Sequence, residues 1–366
     1  MTIEFIGIAA TAPHSETEIA PNQASPDQAG PVQPGYLEEL ARAHEDSGFD
    51  RVLVAHSSAS PDGFTVADQV LSRTQRLGVL LAHRPGFVAP TYAARKFATL
   101  DAFHPGRVAL HVITGGDDAD QARDGDLTDK VTRYRRTDEF LDVLRLEWTS
   151  ATPFDYAGEF YHVKEGLSGV RPPLGRIPVY FGGASADAIR VGGKHADVYA
   201  FWGEPLAGIQ ERIDQVRAAA RPYGRHPRFS VSLRPIPAAT ETQAWERAAD
   251  ILELTRERAS GARKFFNLDH SQQHGSQRLL EFAAQGDVHD ERLWTPIAKV
   301  TGAAGNSTAL VGSYEQVAQA LLRYVDLGVS TLLIRGFTPL ADARDYGALV
   351  RLVREQADPA PLVSAR

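Results

Sequence analysis

Residues 330–337 read STLLIRGF. Ser330 to Ile334 make a short bounded aliphatic run, the pattern of a strand enclosed on both faces, and Arg335 interrupts it. A guanidinium at that point is costly unless it meets solvent or a partner. The strand therefore ends either at the mouth of a site or in an ion pair with an acid such as Asp101 or Glu204. Seven more runs of this kind recur: IEFIGIA (3–9), RVLVA (51–55), LGVLLA (77–82), RVALHVIT (107–114), IPVYFGG (177–183), ADVYAF (196–201) and RFSVSLRPI (228–236). Between them lie helical spacings such as Leu37, Leu40, Ala41 and His44, or Val317, Leu321, Leu322 and Val325. Strands alternating with helices, with glycine or polar residues at many strand exits, predict an α/β fold. A closed (β/α)8 TIM barrel with insertions at its C-terminal face is preferred over an open doubly wound sheet.

The chain has 366 residues, a length that one barrel domain with insertions accounts for, and it is read as a single domain over 1–366. A net charge of -7 argues against a nucleic-acid footprint or a polybasic membrane surface. The absence of cysteine excludes disulfides, thiolate metal sites and a cysteine nucleophile, and fits a reducing cytoplasm. The opening MTIEFIGIAATAPH lacks the pattern of a targeting segment, and no apolar run is long enough to span a bilayer. A soluble cytoplasmic protein is expected.

Two segments stand outside the alternation. Residues 12–35 form a Pro-rich stretch, and residues 259–312 read as a long polar, glycine-rich insertion, expected to be a mobile lid at the catalytic rim.

In a barrel the residues just after each strand face the substrate. The FGGAS stretch (181–185) opens a helix through small residues, so that backbone amides and the helix N-terminus suit a phosphate. It is neither a dinucleotide fingerprint nor a Walker loop. His56, His83 and His111 each close a strand; a satisfied core histidine competes as the reading of each, but three at one rim suggest chemistry. The carboxylates of GGDDADQARDGD (115–126) are too evenly scattered for a defined ligand set, and no metal is expected.

These pieces, in order, resemble the flavin-dependent luciferase-like monooxygenases, and within them the alkanesulfonate monooxygenase branch. The likeness runs from GYLEELARAHEDSGFDRVLV (35–54) through TQRLGVLLAHRPGFVAPTYAARKFATLDAFHPGRVALHVITGGD (74–117), RYRRTDEF (133–140), YFGGASADA (180–188) and YAFWGEP (199–205) to GNSTALVGS (305–313). It implies a TIM barrel, reduced FMN delivered by a separate NAD(P)H-dependent flavin reductase, molecular oxygen as co-substrate, and a homodimer or homotetramer.

By matching position, Tyr134 and Ser185, with the amides around Gly183 and Ala184, would hold the FMN phosphate. His111 and Thr114 would lie along the flavin, with Ser57 and His83 near its ring. The family's non-proline cis peptide would fall near Ala82–His83. The substrate side departs from the alkanesulfonate enzymes. Ser60 stands where they have a cysteine, Ser232 and Arg234 of SLR occupy the slots of their Arg-Leu-His triplet, and Phe337 replaces a tyrosine, while Trp202 is retained. Arg234 and Arg335, with Arg84 as a third, would present guanidinium forks to an oxyanion such as a sulfonate. The expected activity is cleavage of the C–S bond of a small organosulfonate, sulfosugars included, to an aldehyde and sulfite. The alternatives are a monooxygenase acting on a sulfone or heterocycle, a deazaflavin-dependent enzyme, and a non-catalytic flavin-binding relative.

Overall fold

The computed structural model describes residues 3–13, 32–262, 273–303 and 307–357. Thirteen strands appear among them in chain order: β1 (Glu4–Ile8), β2 (Arg51–Val54), β3 (Gly78–His83), β4 (Val108–Val112), β5 (Phe154–Ala157), β6 (His162–Gly166), β7 (Val179–Gly182), β8 (Val198–Trp202), β9 (Arg228–Ala238), β10 (Val288–His289), β11 (Leu293–Trp294), β12 (Ala309–Ser313) and β13 (Val329–Ile334). The helices are α1 (Pro34–Asp46), α2 (Gly63–Arg73), α3 (Pro90–Phe103), α4 (Asp118–Arg123), α5 (Lys130–Thr149), α6 (Ala186–His195), α7 (Leu206–Ala220), α8 (Glu241–Ala262), α9 (His274–Gln285), α10 (Pro296–Thr301), α11 (Tyr314–Asp326) and α12 (Pro339–Ala357).

Parallel pairing runs β9-β13-β1-β2-β3-β4-β7-β8, and β8 pairs back onto β9 to close an eight-stranded barrel. Each of the eight aliphatic runs of the sequence supplies one of these strands. Side chains alternate faces with period two, which sorts each run. On β13, Leu332 and Ile334 join the large core between barrel and helices, whereas Leu333 packs inside the barrel with Ile6, Leu53, Leu80, Ala109, Tyr180 and Val198. Beneath this inner layer Glu4 takes an ion pair from Arg51 at 2.9 Å and hydrogen bonds from Thr331 at 3.0 Å and from Tyr180. The floor of the barrel is thus a satisfied charged plug.

The insertion 259–312 is less polar in space than in sequence. β9 is long, and its second half pairs in parallel with β12, whose outer neighbours β11 and β10 are antiparallel. Ala309 and Val311 of β12 pack with Ile236, Ile297, Trp294 and Phe337 in a second core, and Leu279, Ala283, Ala298 and Ala303 make a small third one. Residues 263–272 and 304–306 of the expected lid, and 14–31 of the Pro-rich stretch, lie outside the described residues. Among the described residues no peptide bond is cis, which corrects the expectation at Ala82–His83, and no helix is long and apolar enough to cross a membrane.

Candidate active site

At the C-terminal mouth of the barrel a cavity of about 370 Å3 opens above the inner aliphatic layer. Leu53, Leu80 and Leu333 form its floor, and strand ends supply its walls. Period two places His111 of β4 on the inner face two residues after Ala109, and Arg335 on the inner face two residues after Leu333. The arginine that ends the opening stretch therefore faces the cavity. Glu204, which also lines the cavity, receives a bidentate ion pair from Arg278 at 2.9 and 2.7 Å, and Asp101 accepts the Gly106 N–H at 3.0 Å.

One wall joins α5 to the start of α6. Ser185 caps α6, its Oγ accepting the Ala188 N–H at 3.2 Å, and Tyr134 reaches it from α5. Burial keeps the Tyr134 hydroxyl protonated, its pKa raised above the usual tyrosine value, so it remains a donor. Gly183 has φ +144, and a Cβ there would meet the Ala188 Cβ at 2.5 Å and the Tyr134 hydroxyl at 3.2 Å. Only glycine allows this approach of backbone, helix and phenol. Lys130, one turn before Tyr134 and so on the same helix face, also lines the cavity; burial, and then the Arg133 charge, lower its pKa.

Among the described residues His111 Nδ1 and Thr114 Oγ1 are buried without a hydrogen-bond partner, and both residues line the cavity. Burial holds His111 at a pKa of about 4, so it is neutral at pH 7. Orphaned donors and acceptors beside an oxyanion cradle are what a polar, phosphorylated ring system would complete, and the residues present fit FMN.

The cavity brings together His111, Thr114, Tyr134, Gly183, Ala184, Ser185, Trp202 and Arg335 of the residues expected from sequence. His56, Ser57, Ser60, His83, Arg84 and Arg234 do not line it. His83 falls on the outer face of β3, where its ring packs against Phe64, Phe97 and Phe140 with centroids 5.6–6.1 Å away, and burial lowers its pKa to about 3. It is a core histidine and not a neighbour of the cavity. His56 lies beside Phe87, its pKa lowered by burial and by the Arg84 charge. Ser57 and Ser60 bond each other at 2.9 Å. Arg84 is buried in ion pairs with Asp120 and Asp124 that dock α4, so the expected third guanidinium serves structure. Arg234 donates to the Gly336 carbonyl at 3.0 Å and lies over the Phe337 ring at 4.9 Å. The acidic loop is committed likewise, Asp118 to Arg133 and Asp126 to Arg136.

Sequence reasoning missed Lys130, Arg212, and the Gln273–Gly275 segment that roofs the cavity against Trp202. The spacing of Lys130 to Tyr134 was a usable signal; the roof has none in local sequence.

Residues 18–331 match the family described as luciferase-like monooxygenase. The chain belongs to that family. Among solved structures it resembles a riboflavin lyase with modified FMN and riboflavin, at 20% identity and TM-score 0.79, with 100% of this chain and 94% of that one covered. It also resembles the EDTA monooxygenase of Chelativorans sp. BNC1 at 18% identity and TM-score 0.77, covering 98% and 94%. A long-chain alkane monooxygenase aligns at 16% identity and TM-score 0.75, covering 100% and 94%. At these identities the structural likenesses speak for the fold. The family match makes this luciferase-like chain a monooxygenase.

Proposed function

We propose that this luciferase-like monooxygenase is the oxygenating half of a two-component system. A separate NAD(P)H-dependent reductase supplies reduced FMN, and the substrate is a small organosulfonate, sulfosugars included, cleaved to an aldehyde and sulfite. One observation carries the reading: cationic groups face a single cavity from two walls, Lys130 beside the Tyr134–Ser185 cradle and Arg335 at the end of β13. The cradle takes the flavin phosphate, and Arg335 turns its fork to a second oxyanion in the same cavity.

When bound, reduced FMN supplies two electrons and activates oxygen. The protein's part is positional. Tyr134, Ser185 and the loop amides anchor the phosphate, Arg335 holds the sulfonate, and Ser230 and Ser232 offer hydroxyls to polar substrate groups. The aliphatic floor excludes water from the reacting centre. His111 alone of the three strand-end histidines reaches the cavity, and as a neutral ring with an unpartnered Nδ1 it is the group placed to move a proton. The balance is R–CH2–SO3⁻ + O2 + FMNH2 giving R–CHO + HSO3⁻ + FMN + H2O.

Sulfite release from a sulfonate panel, with FMN, a flavin reductase and oxygen, tests this. Turnover of a sulfone or heterocycle without sulfite from any sulfonate, or activity only with a deazaflavin, would replace it. A protein that binds flavin but turns over none of these substrates would be a non-catalytic relative.

A further inference from the structure

Arg212 of α7 is 3% exposed and reaches the FGGAS loop. Its Nη2 donates to the Gly183 carbonyl at 2.7 Å and its Nη1 to the Ala184 carbonyl at 3.1 Å. The Tyr199 hydroxyl donates to the same Gly183 carbonyl at 2.9 Å. In a trans peptide the C=O and the following N–H point in opposite directions, and every described peptide here is trans. Fixing the carbonyls of residues 183 and 184 toward Arg212 therefore turns the N–H groups of Ala184 and Ser185 away from its side chain, and Arg212, Ala184 and Ser185 all line the cavity. Two successive amides at a helix N-terminus suit an anion. The guanidinium lines the same cavity and is shielded from solvent, so its field adds to theirs.

We infer that Arg212 is the positioning residue that makes the Gly183–Ser185 loop selective for a phosphorylated flavin over the same ring without phosphate. The inference rests on the flavin-phosphate reading of this cavity. It assigns to one buried side chain the discrimination between FMN and riboflavin. A buried arginine serving two adjacent carbonyls is more than a loop needs to fold: one donor to Gly183 is already present in Tyr199. The second donor, to Ala184, sets the direction of the Ser185 amide.

The test measures dissociation constants of FMN and of riboflavin, both reduced anaerobically, for the wild type, Arg212→Met, Arg212→Lys and Tyr199→Phe. Arg212→Met should weaken FMN by about tenfold or more, the worth of a charge-assisted hydrogen bond, and leave riboflavin within about twofold. Arg212→Lys should fall between, because one ammonium cannot serve both carbonyls in plane. Tyr199→Phe, which leaves Arg212 in place, should change the FMN-to-riboflavin ratio little. If FMN and riboflavin weaken in proportion in both Arg212 variants, the residue is only a scaffold and the inference is overturned. If Arg212→Met does not fold, the Arg212→Lys ratio decides. Failure of the underlying reading looks different: the wild type itself would not distinguish FMN from riboflavin, and Tyr134→Phe would leave the ratio unchanged.

Discussion

Replacing Gly183 by alanine tests the cradle directly. The new Cβ would lie 2.5 Å from the Ala188 Cβ, where ordinary contact begins at 3.4 Å. Both atoms are bonded to backbone, so no side-chain rotation relieves the overlap, and the loop or the first turn of α6 must move by about 1 Å. The φ of +144 adds about 1–3 kcal/mol of strain for any residue with a Cβ. A 1 Å displacement lengthens an amide-to-phosphate hydrogen bond beyond its useful range. Losing one such charge-assisted bond costs about 1.5–3 kcal/mol, or roughly ten- to a hundredfold in FMN affinity. Fluorescence titration with reduced and oxidised FMN reads this, with riboflavin as the phosphate-free control. Gly224→Ala supplies the comparison, since Gly224 has φ +62 but nothing within 4 Å of a built Cβ. It should cost about 1 kcal/mol of stability and leave flavin binding alone. A folded Gly183→Ala protein with wild-type FMN affinity would refute the placement of the phosphate.

The two arginines of the substrate side should separate: Arg335→Met should lower kcat/KM for a sulfonate by roughly ten- to a hundredfold with FMN affinity kept, whereas Arg234→Met, losing the Gly336 hydrogen bond and the Phe337 contact, should chiefly lower the melting temperature. Equal catalytic loss in both would return Arg234 to the binding site. Buried His44, its pKa lowered to about 4 by burial, is neutral in the fold but protonates near 6.5 when unfolded, so its stabilising effect is complete above that pH and is lost as pH falls toward 4. Urea titrations at pH 7 and pH 5 should show a shallower acid loss for His44→Leu than for wild type, and identical slopes would contradict the sign. Gly275→Ala would bring a Cβ to 2.9 Å from the Trp202 ring, so amide exchange across α9 should quicken in the variant. In the wild type, exchange across 259–312 should slow when reduced FMN and sulfonate are both present, and unchanged protection would remove a gating role.

The barrel was legible in the sequence because its signal is local. Eight bounded aliphatic runs alternate with helical spacings, and a strand buried on both faces needs no distant residue to be recognised. The glycine turn of FGGAS was legible for the same reason: strand, turn and helix start lie within one stretch, whereas Tyr134, Lys130 and Arg212 meet it from other helices. What the sequence could not decide is which way a side chain faces and whom it meets. His83 and His111 both stand at the ends of aliphatic strands, yet the parity of each strand's alternation sends one into the helix layer and the other into the cavity. Arg84 and Arg335 both end strands, and only the docking of α4 shows that Arg84 is taken by Asp120 and Asp124. ALVGS at 309–313 is a buried strand hidden in a polar stretch because its partner, the second half of β9, is more than seventy residues away. Runs and turns are set by neighbours along the chain, while ion pairs, facing and strand partnership are set by neighbours in space.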